Sequence, residues 1–259
     1  MFAKLLKHEF SAIAKGLLPI YLLMIAAAVI TNLLLLTRYD TPSAIAAAIF
    51  GAITVAAFVI TLVTTIRRFR RNLLKDEGYL MFTLPVTTKQ LILSKAVAAI
   101  IWSGIGLFCG LLCGFLFILN ASTFEWGMIS DFFAFIFSHA QAGDWLVVAE
   151  VIVSMILNFT LFLFVIYLSI SVTQLPIFKA NDTVRHRIVP FGCFILFYII
   201  YIGVTSLISK LLPFDANATI TQSSDLLIPL LSGIAIELVV VTLVFFLVDY
   251  ILARHLNLE

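Results

Sequence analysis

Long apolar runs alternate with short polar intervals along the whole chain, and six of the runs are long enough to cross a lipid bilayer. They cover Leu17 to Leu36, Ala44 to Ile66, Ala96 to Leu119, Trp145 to Val172, Phe191 to Ile208 and Leu226 to Leu252. About 20 helical residues cross a hydrocarbon core of roughly 30 Å. In lipid the backbone polar groups must be satisfied within the segment, which selects helix over irregular structure. The pattern predicts an all-α, polytopic membrane protein with six transmembrane helices, forming one domain over residues 1–259. The polar intervals hold at most about thirty residues each, too few for a globular core of their own, which takes about 50 or more.

Composition agrees with this picture. The chain is 63% hydrophobic and only 12% charged, with a mean hydropathy of +1.15, against about 25% charged residues in soluble domains. The first run has no small-residue cleavage site and five further spans follow it, so it is read as a mature helix rather than a secretory leader.

Charge placement adds orientation. With the N-terminus inside, the inner segments carry Lys4, Lys7, Lys15, Arg67, Arg68, Arg70, Arg71, Lys75, Lys89, Lys95, Lys179, Arg185, Arg187 and Arg254, and the outer ones only Arg38 and Lys210. The positive-inside rule then puts both termini in the cytoplasm. Acidic residues gather outside, at Asp40, Glu125, Asp131, Asp144, Asp215 and Asp225. The basic face is expected to meet anionic lipid headgroups, not nucleic acid. The three cysteines, Cys109, Cys113 and Cys193, fall inside spans and suggest neither a disulfide framework nor a zinc site.

The opening residues 1–16 place Phe2, Leu5, Leu6, Phe10 and Ile13 near one helical face, with Lys4, Lys7, Glu9 and Lys15 mostly elsewhere. Such an amphipathic pattern suits a helix lying along the membrane surface, and the alternative is a plain extension of the first span. The interval 67–95 is the most polar in the chain. In it Thr87 and Gln90 have capping-box spacing and start the helix that becomes the third span. Before Pro85, residues Asn72 to Leu84 are read as a short apolar helix. It needs a partner to bury against or must pack back onto the protein's own helix ends.

Gly106, Gly110 and Gly114 recur every fourth residue in the third span, a spacing that lets helix backbones approach closely. The outer interval 120–144 holds the apolar run Phe132 to Phe137, too short to span and a candidate re-entrant helix, flanked by Trp126 and Trp145, which suit the headgroup zone.

The chain has no GxxxxGK[ST] phosphate-binding loop, so any ATPase activity belongs to another polypeptide. No His lies in a span and no pair of aspartates does, which argues against an intramembrane protease; the chain is not read as an enzyme. Glu150 and Asp249 lie near span ends, where water is in reach. Glu237 lies 11 residues into a 27-residue span, where an ionised side chain costs about 2.5 to 3.5 kcal/mol on insertion scales. It is a candidate for the translocation path or, equally, a hydrogen-bonded structural residue. Asn158, midway along the fourth span, is a second polar candidate, more in keeping with interhelical hydrogen bonding.

The order of a surface helix, two spans, a basic loop with a short apolar helix, and four more spans resembles the membrane subunits of bacterial type-2 ATP-binding cassette (ABC) exporters. The strings KLLKHEF, KDEGYLMFTLPVTTKQLILSK and the closing LNLE carry the likeness. The resemblance implies an N-terminal elbow helix and a coupling loop between spans two and three. In that loop Asp76, Glu77, Gly78, Tyr79, Leu80, Phe82, Leu84 and Pro85 would dock on a separate ATPase subunit. It further implies a second six-span permease, identical or paralogous, a place in the bacterial plasma membrane, and ATP and Mg held by the partner ATPase, with no cofactor on this chain. The family's re-entrant element usually precedes the last span, so the 120–144 interval departs from its pattern. Two other readings stay open: a secondary transporter driven by an ion gradient, although neither inverted repeats nor a broken pair of spans is evident, and a non-transporting scaffold or sensor.

Overall fold

The computed structural model describes residues 2–36, 40–74, 86–119, 142–173, 188–211 and 224–254, with single residues at 127, 130, 131, 134, 138 and 175. Six α-helices account for nearly all of them: α1 (Phe2–Leu36), α2 (Asp40–Leu74), α3 (Thr88–Leu119), α4 (Ala142–Val172), α5 (Val189–Leu211) and α6 (Ser224–Arg254). All six are long and apolar enough to cross a membrane, and there is no strand among the described residues. Each expected span lies within one of these helices, as befits a multi-pass membrane protein. The described residues group into two compact units. One holds residues 1–68 and 93–138, the other 69–92 and 139–259, so that α2 and α3 each contribute to both.

In the first unit α1 is a single helix from Phe2 to Leu36, running through Gly16 and Pro19. Residues 1–16, expected as a surface elbow, are continuous with the first span in one helix. The reason is a continuous apolar seam. Ile13, Leu17, Tyr21, Met24 and Ala28 recur every three or four residues and are all buried, the spacing of one helical face. Ile13, Leu17 and Tyr21 pack with Ala98 and Trp102 of α3, while Met24 and Ala28 pack with Ala57 of α2 and Cys113 of α3. Pro19 lies inside the helix rather than in its first turns, where its ring removes one backbone hydrogen bond.

The α2 helix continues through Arg67, Arg68, Arg70 and Arg71 to Leu74, and α3 already begins at Thr88. The expected 67–95 loop is therefore shorter than the polarity of its sequence suggested, because arginine and lysine are good helix formers and carry a helix beyond its apolar stretch. Asn72–Leu74, expected as the start of a separate helix, belong to α2. The capping box is present as expected: Thr87 N–H reaches Gln90 Oε1 and Gln90 N–H reaches Thr87 Oγ1, both at 3.4 Å.

In the second unit α4 packs along α6 and, less extensively, against α5. Leu161, Phe164, Val165 and Tyr167 of α4 and Val244, Val248, Ile251 and Leu252 of α6 are buried, and the Phe164 and Phe245 rings meet at 5.6 Å. Hydroxyls within the apolar stretches fold back onto their own helices, Ser169 donating to the Val165 carbonyl and Ser171 to that of Tyr167, which satisfies them without a partner.

Candidate functional site

Near the middle of α6, Glu237 turns toward α4 and is almost fully enclosed, at 9% exposure. The helix pairing that buries Val244 and Val248 carries Glu237 in the same direction, two and three turns earlier in the helix. Its carboxylate accepts a hydrogen bond from the Asn158 side-chain amide at 2.5 Å and a longer one from the Ser154 hydroxyl, which lies 3.4 Å from each carboxylate oxygen. The Asn158 amide also donates to the Ser154 carbonyl at 3.2 Å. The two polar residues singled out in the sequence as candidates for the translocation path, Glu237 and Asn158, thus form one site, 79 residues apart in the chain. Ser154 is the third member and was not foreseen; its position one turn before Asn158 is the signal that could have found it.

One turn earlier still lies Glu150. Its Oε2 is buried and has no hydrogen-bond partner among the described residues, whereas its closeness to the span end suggests access to water. Glu150, Ser154 and Asn158 make a polar line along one face of α4. From α5, Tyr201 stands near enough to Glu237 to interact with it electrostatically. Tyr201 continues an aromatic ladder, stacking with Phe197 at 6.3 Å and meeting Tyr198 edge-on at 6.3 Å. Phe194 and Phe162 extend the ladder back to α4.

The first unit holds a second polar cluster. Glu9 of α1 is 1% exposed and pairs with Lys95 Nζ of α3 at 2.5 Å and Arg68 Nη2 of α2 at 3.3 Å. Glu9 had been placed on the polar side of α1 and Lys95 among the loop cations. Both are buried because Glu9 precedes Ile13, Leu17 and Tyr21 on the same seam, and Lys95 lies among buried Leu91, Ile92, Ala98 and Ala99.

Among the described residues, Gly106 is the one glycine of the α3 row that meets a neighbour. A Cβ there would come within 2.7 Å of Tyr21 Oη, but one at Gly110 or Gly114 would meet nothing within 4 Å. Within the described chain the close approach is at Gly106. Beyond it, α3 presents Cys109, Cys113 and Phe117 to the core, a face displaced from the glycines by one residue. Tyr21 Oη is fixed by the Trp102 carbonyl and by the Thr61 hydroxyl, each at 3.0 Å.

The expected ATPase-docking residues Asp76, Glu77, Gly78, Tyr79, Leu80, Phe82, Leu84 and Pro85 lie outside the described residues, as does nearly all of Phe132 to Phe137. What brackets the former segment is defined. Phe69, near the end of α2, stacks flat on Tyr167 with ring centres 3.8 Å apart. Lys89, in the first turn of α3, pairs with Asp249 of α6 at 4.0 Å and sits 5.1 Å from the Phe246 ring centre. No group of three or more metal-ligating side chains converges among the described residues. Set against known protein families, curated proteins and solved structures, the chain matches none.

Proposed function

We propose that this chain is the membrane-spanning permease subunit of an ATP-driven exporter of the ABC type, working with a separate ATPase subunit and a second six-span subunit. The observation that carries the reading is the bracing of the 75–87 interval. The helix end before it is stacked on α4 through Phe69 and Tyr167, and the helix start after it is tied to α6 through Lys89, Asp249 and Phe246. A partner that displaced this interval would move α4 and α6 with it. Those are the helices that carry Asn158 and Glu237, so a push on the loop reaches a polar site within the span. That is the mechanical link which coupling of ATP hydrolysis to transport needs, and it supports the roles assigned by resemblance to Asp76, Glu77, Gly78, Tyr79, Leu80, Phe82, Leu84 and Pro85. ATP and Mg would sit on the partner.

The test is affinity purification of the tagged chain in mild detergent, with mass spectrometry of co-purifying proteins, beside the Tyr79→Asp, Phe82→Asp double variant. The expected result is a P-loop ATPase that the double variant loses. Its absence from an intact preparation overturns the reading. The Glu237 site favours a second reading in that event, a transporter driven by an ion gradient, because a carboxylate within a span is a means of carrying charge across the membrane.

A further inference from the structure

The Glu237 site has a composition that defines what it can hold. Its carboxylate is enclosed and receives neutral donors only, Asn158 and Ser154. No basic residue among the described ones pairs with Glu237 or with Glu150. Glu9 and Asp249, by contrast, are paired with lysine or arginine. A carboxylate enclosed within a membrane span ordinarily has a partner of opposite charge or faces a cavity.

The surroundings narrow the missing partner. A metal ion would need several oxygens converging at bonding distance, and no group of three or more metal-ligating side chains converges among the described residues. Phe162, one turn beyond Asn158 on α4, meets Phe194 of α5 edge-on, and Tyr198 and Tyr201 continue the ring series along that side of α5. Tyr198 and Tyr201 on α5 are half-buried, their rings tilted edge-on to each other and joined to Phe194 and Phe197. Ring faces attract cations, more strongly when these have shed water, and prefer organic cations that are themselves weakly hydrated. The opposite face of α5, with Ile195, Ile199 and Ile202, is aliphatic and exposed, so the rings are gathered on the side toward α4. Asn158 itself is exposed, so the site borders the surface of α4.

We propose that Glu237, together with Asn158, Ser154 and Glu150 of α4 and the Tyr198 and Tyr201 rings of α5, binds a lipophilic organic cation. This deepens the transport reading by naming the substrate class, and it rests on that reading only for the direction and energy of movement. Binding requires neither the ATPase nor ATP. Glu237 supplies the opposite charge, Tyr198 and Tyr201 the ring faces, and Asn158 and Ser154 hold the carboxylate in one orientation.

The probes are tetraphenylphosphonium and tetraphenylborate, nearly the same shape with opposite charge, measured by equilibrium dialysis on the full chain in detergent. The expected result is saturable binding of the phosphonium and not of the borate. Glu237→Gln, which keeps the size and an acceptor for Asn158, should weaken phosphonium binding by at least about thirtyfold, the loss typical of removing one member of a buried charge pair. Glu237→Asp should restore part of it, and Tyr201→Leu should weaken it more than Tyr201→Phe. Equal uptake of both probes, no saturable phosphonium binding, or unchanged affinity in a monodisperse Glu237→Gln variant would each overturn the proposal. Phosphonium binding without a co-purifying ATPase would leave the site standing and remove the ABC reading. An ATPase partner without phosphonium binding would do the reverse.

Discussion

Glu9 and Lys95 lie 86 residues apart in sequence and meet at 2.5 Å in a buried ion pair that joins α1 to α3, with Arg68 of α2 as the third member. Three helices are thus tied at one point by charge rather than by apolar contact. Removing one partner from a buried pair leaves an uncompensated charge and costs about 3–5 kcal/mol, whereas replacing both by apolar groups costs far less. Glu9→Ala and Lys95→Ala should therefore each lower thermal stability in detergent strongly. The double variant Glu9→Leu, Lys95→Leu should be more stable than the sum of the single effects. Additive losses would show that the pair does not act as a unit.

Gly106 makes a sharper steric case. Alanine there would put a methyl group 2.7 Å from Tyr21 Oη, an atom held by two hydrogen bonds, so it cannot simply swing away. Overpacking of this kind costs about 1–3 kcal/mol. Gly110 borders an open space of about 300 Å³, and alanine at that position should be neutral or stabilising by up to about 1 kcal/mol through helix propensity. Melting of Gly106→Ala, Gly110→Ala and Gly106→Ala with Tyr21→Phe in one detergent separates the effects. Removal of the hydroxyl in the double variant should recover much of the loss.

At the ends of α2 and α3 the two braces differ in kind. Phe69 is fully buried under the Tyr167 ring, and Phe69→Ala should cost about 3–5 kcal/mol. The Lys89 to Asp249 pair is more than half exposed on the lysine side. Lys89→Ala should change stability by about 1 kcal/mol or less. In transport assays of the assembled complex, Phe69→Leu, which keeps apolar volume but loses the stacked ring, should lower the rate more than Lys89→Ala does.

For the Glu237 site a stability readout complements the binding test. Asn158→Ala removes the shortest donor to an enclosed carboxylate, which should cost about 1–3 kcal/mol. Adding Glu237→Leu removes the acceptor as well and should recover part of that loss. A thermal shift for Asn158→Ala that is the same with and without Glu237→Leu would contradict the pairing seen between α4 and α6.

The six helices were legible because membrane solvent imposes one constraint on every span, and Ala44 to Ile66 or Trp145 to Val172 meet it without a charge or with a single one. What was not legible depended on helix phase and helix ends. Glu9 was assigned to the polar face of α1 because Phe2, Leu5, Leu6 and Phe10 suggested another apolar face, while the seam from Ile13 to Ala28 sets the true one. Lys95 was counted with the loop because charge normally marks an end, but a buried acid on another helix reverses that. The pairing of Asn158 with Glu237 could not be foreseen from two isolated polar positions, since nothing local states which helices are neighbours. The glycine row makes a related point: spacing gives a face, not what stands opposite it.

Trp102 joins several of these features and makes them observable. It is 4% exposed, donates its indole N–H to the Phe10 carbonyl at 3.1 Å, accepts the Tyr21 hydroxyl on its own carbonyl, and packs against the Phe10 ring at 4.9 Å. Trp145, by contrast, is 47% exposed. With Trp126 and Trp145 replaced by Phe, the chain would therefore carry a built-in optical probe of the seam between α1 and α3: an indole shielded from water-borne quenchers and bonded to α1, whose emission should shift when the two helices part, without a dye or label.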